Sequence, residues 1–304
     1  MPHDHHHIDP ESGDRRVAAA VGVNMLLTVA QVIGGVLSGS LAMIADALHN
    51  FSDAISLIIA FWARKIARRP ADADMTFGYG RAELVAALVN LTTLIVIGLY
   101  LIYEAIMRFF APEPVTGWLV IIIAGVALVI DLITAALTYS MSKDSVNIRA
   151  AFLHNLADAL GSVAVIGAGT LILLFGWTWV DPAVTLLIAG YILWMAFSEI
   201  GGVVRILMLG SPPQLAPDAV LATAGGVDGV LELHHAHLWQ LDEHRASLEA
   251  HLVIETGSWG RADAIKDAVK RQLMEIHGLC HVTLELECAR HRCDDALPIG
   301  HAPG

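Results

Sequence analysis

The chain has 304 residues, 56% of them hydrophobic and only 16% charged, with a mean hydropathy of +0.61 and a formal charge of −12 at pH 7. That is too apolar for a soluble protein of this length, and the acidic balance argues against a nucleic-acid partner. Three cysteines, all after residue 279, make no disulfide framework and suit a reducing compartment.

The first fourteen residues are polar and carry His3, His5, His6 and His7. They show no short apolar core with a small-residue cleavage site, so no cleaved leader is expected. Two readings of the histidines stand: a solvated tail, or a mobile arm that collects metal. Six apolar segments follow, at about 17–37, 41–63, 82–108, 117–141, 147–174 and 181–209, each near the ~20 residues that span hydrocarbon. Ser38-Gly39-Ser40 reads as a tight turn, and Trp177 and Trp179 as interface anchors. Arg15, Arg16, Arg64, Lys65, Arg68, Arg69, Arg81, Lys143, Arg149 and Arg205 fall on one side of such a bundle and only Arg108 on the other. Both termini are therefore expected in the cytoplasm.

Ser211-Pro212-Pro213 closes the membrane part. Beyond it the pattern predicts a compact α+β domain. A short helix is expected at Gln214–Ala224, strands at Val230–Trp239 and Ala246–Ile254, a helix at Gly260–His277 and a strand at Val282–Glu287. Ile265, Val269, Leu273 and Ile276 give the second helix its apolar spacing. The expected division is a His-containing tail (1–16), a six-helix transmembrane domain (17–210), a cytosolic α+β domain (211–288) and a second tail (289–304).

One motif occurs twice inside the apolar part: Leu48-His49-Asn50-Phe51-Ser52-Asp53-Ala54 and Leu153-His154-Asn155-Leu156-Ala157-Asp158-Ala159. Ionisable groups in apolar spans are costly and are functional candidates by default. On a helix, His and Asp four positions apart share a face. In a six-span topology helices two and five run antiparallel, so both pairs can meet at one depth. Two imidazoles and two carboxylates make an N/O set suited to tetrahedral zinc. Two carboxylates held close in low dielectric cannot both stay ionised without a cation, so metal binding expels protons and protonation expels metal. In a protein open alternately to each face, that is metal/proton exchange.

Two further acids stand in the spans. Asp46 shares the face of His49 and could orient its ring; it could equally be a carboxylate near the start of its helix. Asp131 could relay protons, or pair with Asn24, Gln31 or another bundle-facing group.

These residues resemble the cation diffusion facilitator family, specifically its zinc-type members. The resemblance covers nearly the whole chain: six spans, the two His–Asp motifs, Thr76-Phe77-Gly78-Tyr79-Gly80-Arg81-Ala82-Glu83 leading into the third span, and a soluble domain after the sixth. It implies a homodimeric, proton-coupled exporter of Zn2+, with Cd2+ and Co2+ within its range, in the inner membrane of a bacterium. It also implies a ferredoxin-like, metallochaperone-like cytosolic domain and no organic cofactor. His49, Asp53, His154 and Asp158 match the family's transport site, where His at the first position resembles a filter for zinc over cadmium. Manganese-type members use carboxylates there. By the same resemblance His234, His251 and Glu285 or Glu287 match regulatory zinc positions that bridge subunits. The alternative is a solvated polar sheet face, since His251 and both glutamates alternate with apolar neighbours. His234 likewise alternates with His235, and His237 and Trp239 are expected to pack. Arg81 matches a basic residue that locks the dimer at the membrane surface in some relatives.

The chain departs from some members in its loop at 66–81, which has Asp72 and Asp74 but no histidine. It also lacks a His-rich insertion between spans four and five. Cys288-Ala289-Arg290-His291-Arg292-Cys293 reads either as a free tail or as a soft site without zinc-knuckle spacing. A membrane-anchored metal sensor and an intramembrane metalloenzyme are the alternatives. A mere anchor does not need six spans, and four protein ligands with no His-Glu-x-x-His motif leave no position for a reactive water.

Overall fold

The computed structural model describes residues 10–139, 146–293 and 297–300. The N-terminal histidines, the connection at 140–145 and the side chains of Asn24 and Asn147 lie outside that description. Six long helices come first: α1 Pro10–Ser38, α2 Leu41–Ala67, α3 Ala82–Phe110, α4 Gly117–Tyr139, α5 Val146–Phe175 and α6 Val180–Leu207. Five of them, α2 to α6, are long and apolar enough to cross a membrane. In α1 the apolar stretch among the described residues is only Met25–Ser38, so the six-span expectation is met there for five helices. Helix α2 continues past the apolar pattern because Arg64 and Lys65 sit in its last turn, where cations complement the helix dipole.

The chain divides into two compact units, one running through Ile59 and from Val89 to Glu199, the other made of Ala60–Leu88 and Ile200–Gly304. In the first, lipid offers no hydrophobic drive for helix association, so close packing and polar contacts hold the helices. Small residues supply the packing. A Cβ on Gly117 would lie 2.5 Å from the carbonyl of Gly169, so α4 and α5 cross with their backbones touching. Ala42, Met43, Val120, Ala124 and Val165 fill one buried cluster beside that crossing. Leu41, Ala45, Leu101, Ala105 and Ala189 fill another. Large side chains such as Leu187, Trp194 and Phe197 stay exposed on α6, as a lipid-facing surface requires.

The start of α2 is fixed from a distance. Gly39 adopts a left-handed φ of 72° in the α1–α2 turn, and a Cβ there would meet the Pro114 carbonyl at 2.6 Å. Asp181, fully buried in the first turn of α6, accepts hydrogen bonds from the Ser40 hydroxyl and from the backbone N–H groups of Leu41 and Ala42. It therefore caps α2 across 140 residues of chain, satisfying donors that a helix start leaves open. Arg108 donates to the Gly39 carbonyl and stands 3.8 Å from Asp181 and 3.0 Å from Glu113.

The second unit holds α7 Pro217–Gly225, β1 Val230–Gln240, β2 Ala246–Ile254, α8 Ala262–His277 and β3 His281–Cys288. The sheet order is β1-β2-β3, antiparallel and then parallel. The parallel step needs a crossover, which α8 supplies. Leu248, Ala250, Leu252 and Ile254 on β2 pack with Ile265, Val269 and Leu273 on α8 in one core. Ile276 does not join it; the residue is 63% exposed, in the last turn beside the Gly278 reversal (φ 67°).

Strand alternation also fails between His234 and His237, where the β1–β2 register slips and His235 takes a φ of 53°. This β-bulge re-aims His235, whose N–H bonds to the Leu297 carbonyl. Ile299 pairs with Ala236 as a parallel bridge. The described part of the 289–304 tail thus returns to the edge of β1.

The loop before α3 belongs to this unit. Asp72 accepts from the N–H groups of Asp74 and Met75 and from the Tyr79 hydroxyl. The Arg81 guanidinium donates to the carbonyls of Leu241 and Gln240, so its described partners are backbone oxygens of the β1–β2 turn. Burial alone would raise the Asp242 carboxyl in that turn, but the Arg245 guanidinium and the N–H groups of His244 and Arg245 outweigh it and hold it below the usual carboxylate range. A depressed carboxyl stabilises the fold above its unfolded-state value, near 3.9, and loses that contribution as pH falls through its lower folded value. Asp242→Asn should therefore destabilise the protein at neutral pH by about 1 kcal/mol after allowance for solvent screening. Thermal melts should show the gap from wild type closing below about pH 4.

Candidate metal centres

The repeated motif brings its four residues together. Asp53 of α2 and Asp158 of α5 lie between the imidazoles of His49 and His154. His49 Nε2 is 3.7 Å from Asp53 Oδ2 and 3.5 Å from Asp158 Oδ1; His154 Nε2 is 3.3 Å from Asp53 Oδ2 and 3.4 Å from Asp158 Oδ2. Zinc bonds of about 2.0–2.2 Å imply tetrahedral edges of roughly 3.3–3.6 Å, and these four His–Asp separations come close to such edges. Donor atoms of His49, Asp53 and Asp158 all lie within 4.8 Å of one another. His154 does not join that three-residue group; it reaches both carboxylates from a more open side, 42% exposed against 7% for His49. Asp53 Oδ2 and His49 Nδ1 are buried with no hydrogen-bond partner. Tyr191 of α6 meets the His49 ring edge-on at 6.3 Å.

The neighbouring acids have partners of their own. Asp46 makes no bond to His49 Nδ1; its Oδ2 accepts from the Gln31 amide at 2.7 Å. Gln31 in turn accepts from Asn50 at 3.2 Å. This buried bridge ties α1 to residues on either side of His49, and the geometry requires it because Gln31 has a donor and an acceptor end. Asp131 accepts from Ser162 of α5 at 3.2 Å, a bundle-facing partner of the kind the sequence allowed. Gly161 is where α5 meets this group: a Cβ there would stand 3.1 Å from Asp46 Oδ1.

A second cluster lies on the sheet of the other unit. His234, His251, Glu287 and Cys293 each offer a donor atom within 4.8 Å of the others. His234 Nε2 is 3.3 Å from Glu287 Oε2, and His251 Nδ1 is 2.6 Å from Glu287 Oε1. Glu285 approaches only His251, at 3.5 Å, with its side chain 71% exposed, so Glu287 is the glutamate within the cluster. The bulge stacks the His235 ring on His251 at 4.9 Å. Burial alone would raise the Glu287 carboxyl, but hydrogen bonds from His251 and from the thiol and N–H of Cys293 hold it below its usual range. The sequence leaves Cys293 either in a free tail or in a soft site; the chain returning to β1 accompanies its placement here. Asp181 was missed because its partners are far away in sequence; Gln31 was named only as a possible partner of Asp131, not of Asp46 and Asn50.

Helices of membrane-spanning length, a small sheet domain and cation donors inside the apolar part define an integral membrane protein of the metal-handling class. Family models match in the same order: the cation efflux transmembrane domain over residues 17–208 and the cation efflux protein cytoplasmic domain over 212–289. The chain belongs to the cation efflux family, the cation diffusion facilitators, whose members transport metal cations and are not enzymes. It is 34% identical over 302 residues to a Bacillus velezensis protein named "Cadmium, cobalt and zinc/H(+)-K(+) antiporter", covering 98% of this chain and 95% of that one. It is 37% identical over 299 residues to the zinc transporter ZitB of Pectobacterium atrosepticum (97% and 91% covered). To the metal cation efflux system protein CzcD of Cupriavidus metallidurans it is 33% identical over 297 residues (98% and 93%).

A bulky side chain at Gly161 must displace Asp46, which Gln31 holds in place. Gly161→Leu should separate α2 from α5 and weaken metal binding at the His49 cluster by at least about tenfold, the lower range for disturbed supporting contacts. Titration of the purified protein with a competing chelator checks this, with Gly125→Leu, whose Cβ would meet nothing within 4 Å, expected to bind normally.

Proposed function

We propose that the protein is a proton-coupled antiporter that exports Zn2+, and with it Cd2+ or Co2+, from the cytoplasm through His49, Asp53, His154 and Asp158. The observation that carries this reading is the set of four His–Asp separations between 3.3 and 3.7 Å contributed by α2 and α5. Two carboxylates and two neutral imidazoles offset a divalent charge, so the loaded site is neutral and tolerates burial. The same four groups accept protons when the cation leaves. Each direction of exchange thus keeps an ionised cluster from standing uncompensated in low dielectric. Relatives named as zinc transporters and as an H(+)-K(+) antiporter support both the cargo and a cation counterflow.

In this reading α1 spans the membrane as a sixth helix, and the basic residues flanking the spans place both termini in the cytoplasm of a bacterial inner membrane. Residues 17–210 form the transport domain, 211–288 a ferredoxin-like cytosolic domain, and 1–16 and 289–304 its two extensions. The match to a cytoplasmic domain whose family name denotes dimerisation supports a homodimer. His234, His251 and Glu287 serve as a regulatory zinc centre, and Asp46 and Asp131 as supporting or proton-carrying acids around the transport site.

Proteoliposomes carrying a zinc-sensitive and a pH-sensitive dye test the reading. Wild type should move zinc with an opposite proton flux. Asp53→Ala and Asp158→Ala should each remove a direct ligand and lower flux by more than the ~10–100-fold typical of supporting contacts, with the protein still dimeric; transport retained by either variant would take that residue out of the ligand set.

His49→Asp replaces a nitrogen donor by a carboxylate that binds through one or two oxygens and accepts a larger ion. The ratio of cadmium to zinc flux should rise in this variant. An unchanged ratio would put the selectivity filter elsewhere.

A further inference from the structure

The cytosolic cluster contains a donor that the zinc-centre reading of His234, His251 and Glu287 does not use. We propose that Cys293 is the fourth ligand of that centre, so that one protomer completes a tetrahedral N2OS site selective for thiophilic divalent ions. The inference rests on that reading and extends it, since the family resemblance alone implies ligands shared between subunits.

Three observations carry it. The first is a buried nitrogen without a hydrogen bond: His234 has a side-chain exposure of 3%, and its Nε2 makes no hydrogen bond while facing Glu287 Oε2 at 3.3 Å in an ion-pair contact. An unpartnered buried polar atom costs free energy that a bound cation would recover. The second is how that ring is held. Its Nδ1 contacts Glu232 Oε1 at 3.2 Å, and Arg292 grips the other oxygen of Glu232 at 3.0 Å. In the tautomer that carries its proton on Nδ1, towards Glu232, the Nε2 lone pair points into the cluster, the carboxylate–histidine arrangement that orients metal ligands. The third is the position of the thiol. Cys293 Sγ stands 3.4 Å from Glu287 Oε1 and 3.7 Å from His251 Nδ1, and the Cys293 N–H bonds Glu287 Oε2 at 3.3 Å. Zinc–sulfur bonds near 2.3 Å and zinc–nitrogen bonds near 2.0–2.1 Å imply S···N edges of roughly 3.5–3.6 Å.

Charge and softness follow from the donor set. A thiolate and a carboxylate neutralise a divalent ion, and two imidazoles complete the coordination without further charge. Sulfur draws zinc and cadmium and disfavours hard ions such as magnesium and manganese. The transport site has no sulfur, so the two centres differ in rank order: the cytosolic one favours cadmium more strongly.

The test uses the full chain in detergent with Asp53→Ala and Asp158→Ala silencing the membrane site, titrated with Cd2+ or Co2+ alone. Expected is one ion per protomer with a thiolate-to-metal charge-transfer band worth one sulfur. Cys293→Ser and Cys293→Ala should both abolish the band and weaken binding at least tenfold, while Cys280→Ser and Cys288→Ser keep band and affinity. An ion that binds without the band, or a band that survives Cys293→Ser or is lost in Cys288→Ser, overturns the role of Cys293 alone. No binding in the silenced background overturns the underlying reading of His234, His251 and Glu287 as well.

Discussion

Everything in the membrane unit answers to one electrostatic constraint: four ionisable side chains, two from α2 and two from α5, stand within 3.3–3.7 Å of their neighbours in an apolar helical domain. Isolated ions there are prohibitively costly, and only mutual compensation by a cation or by protons makes the cluster tolerable. The remaining polar contacts of the unit can be understood as the means of holding α2 and α5 at the required separation. The Gly117–Gly169 crossing sets α5 against α4, and Asp181 anchors the first turn of α2. The Gln31 bridge to Asp46 and Asn50 brackets His49 from α1. Each acts on the same helix from a different side, so rotation of α2 that would turn His49 away is opposed by polar contacts from both α1 and α6.

How much of this was legible in the sequence depended on whether a feature is local. A His and an Asp four residues apart share a helical face whatever surrounds them, which is why the repeat alone brought His49, Asp53, His154 and Asp158 into one hypothesis. Alternation likewise marked His251 and Glu287 as sharing a polar face, because β2 and β3 are regular. The same logic failed at β1. A non-glycine residue with positive φ, His235, slips the register, and no periodic pattern reports such a bulge. Asp181, and the partners that Gln31 takes, were invisible for another reason. The partners of the two residues lie 140 and 15 residues away, and a lone acid beside Pro182 or a lone amide in an apolar helix carries no signal of what it will meet.

The two clusters also show why donor type alone does not determine what a metal centre does. In the proposed transport site the second nitrogen of His49 has no hydrogen-bond partner among the described residues, and His154 is half open. In the cytosolic cluster the second nitrogen of His234 is tied to Glu232, which Arg292 holds in turn. A ring fixed through its outer nitrogen binds more tightly and reorganises less. A carrier must surrender its cargo each cycle, so a loosely supported ligand suits it, since a ligand that can swing lowers the barrier to release. A resident ion gains from the opposite arrangement. Under the proposed function, this difference in supporting contacts, more than the zinc-type donors present in both places, is what would suit one centre to transit and the other to retention.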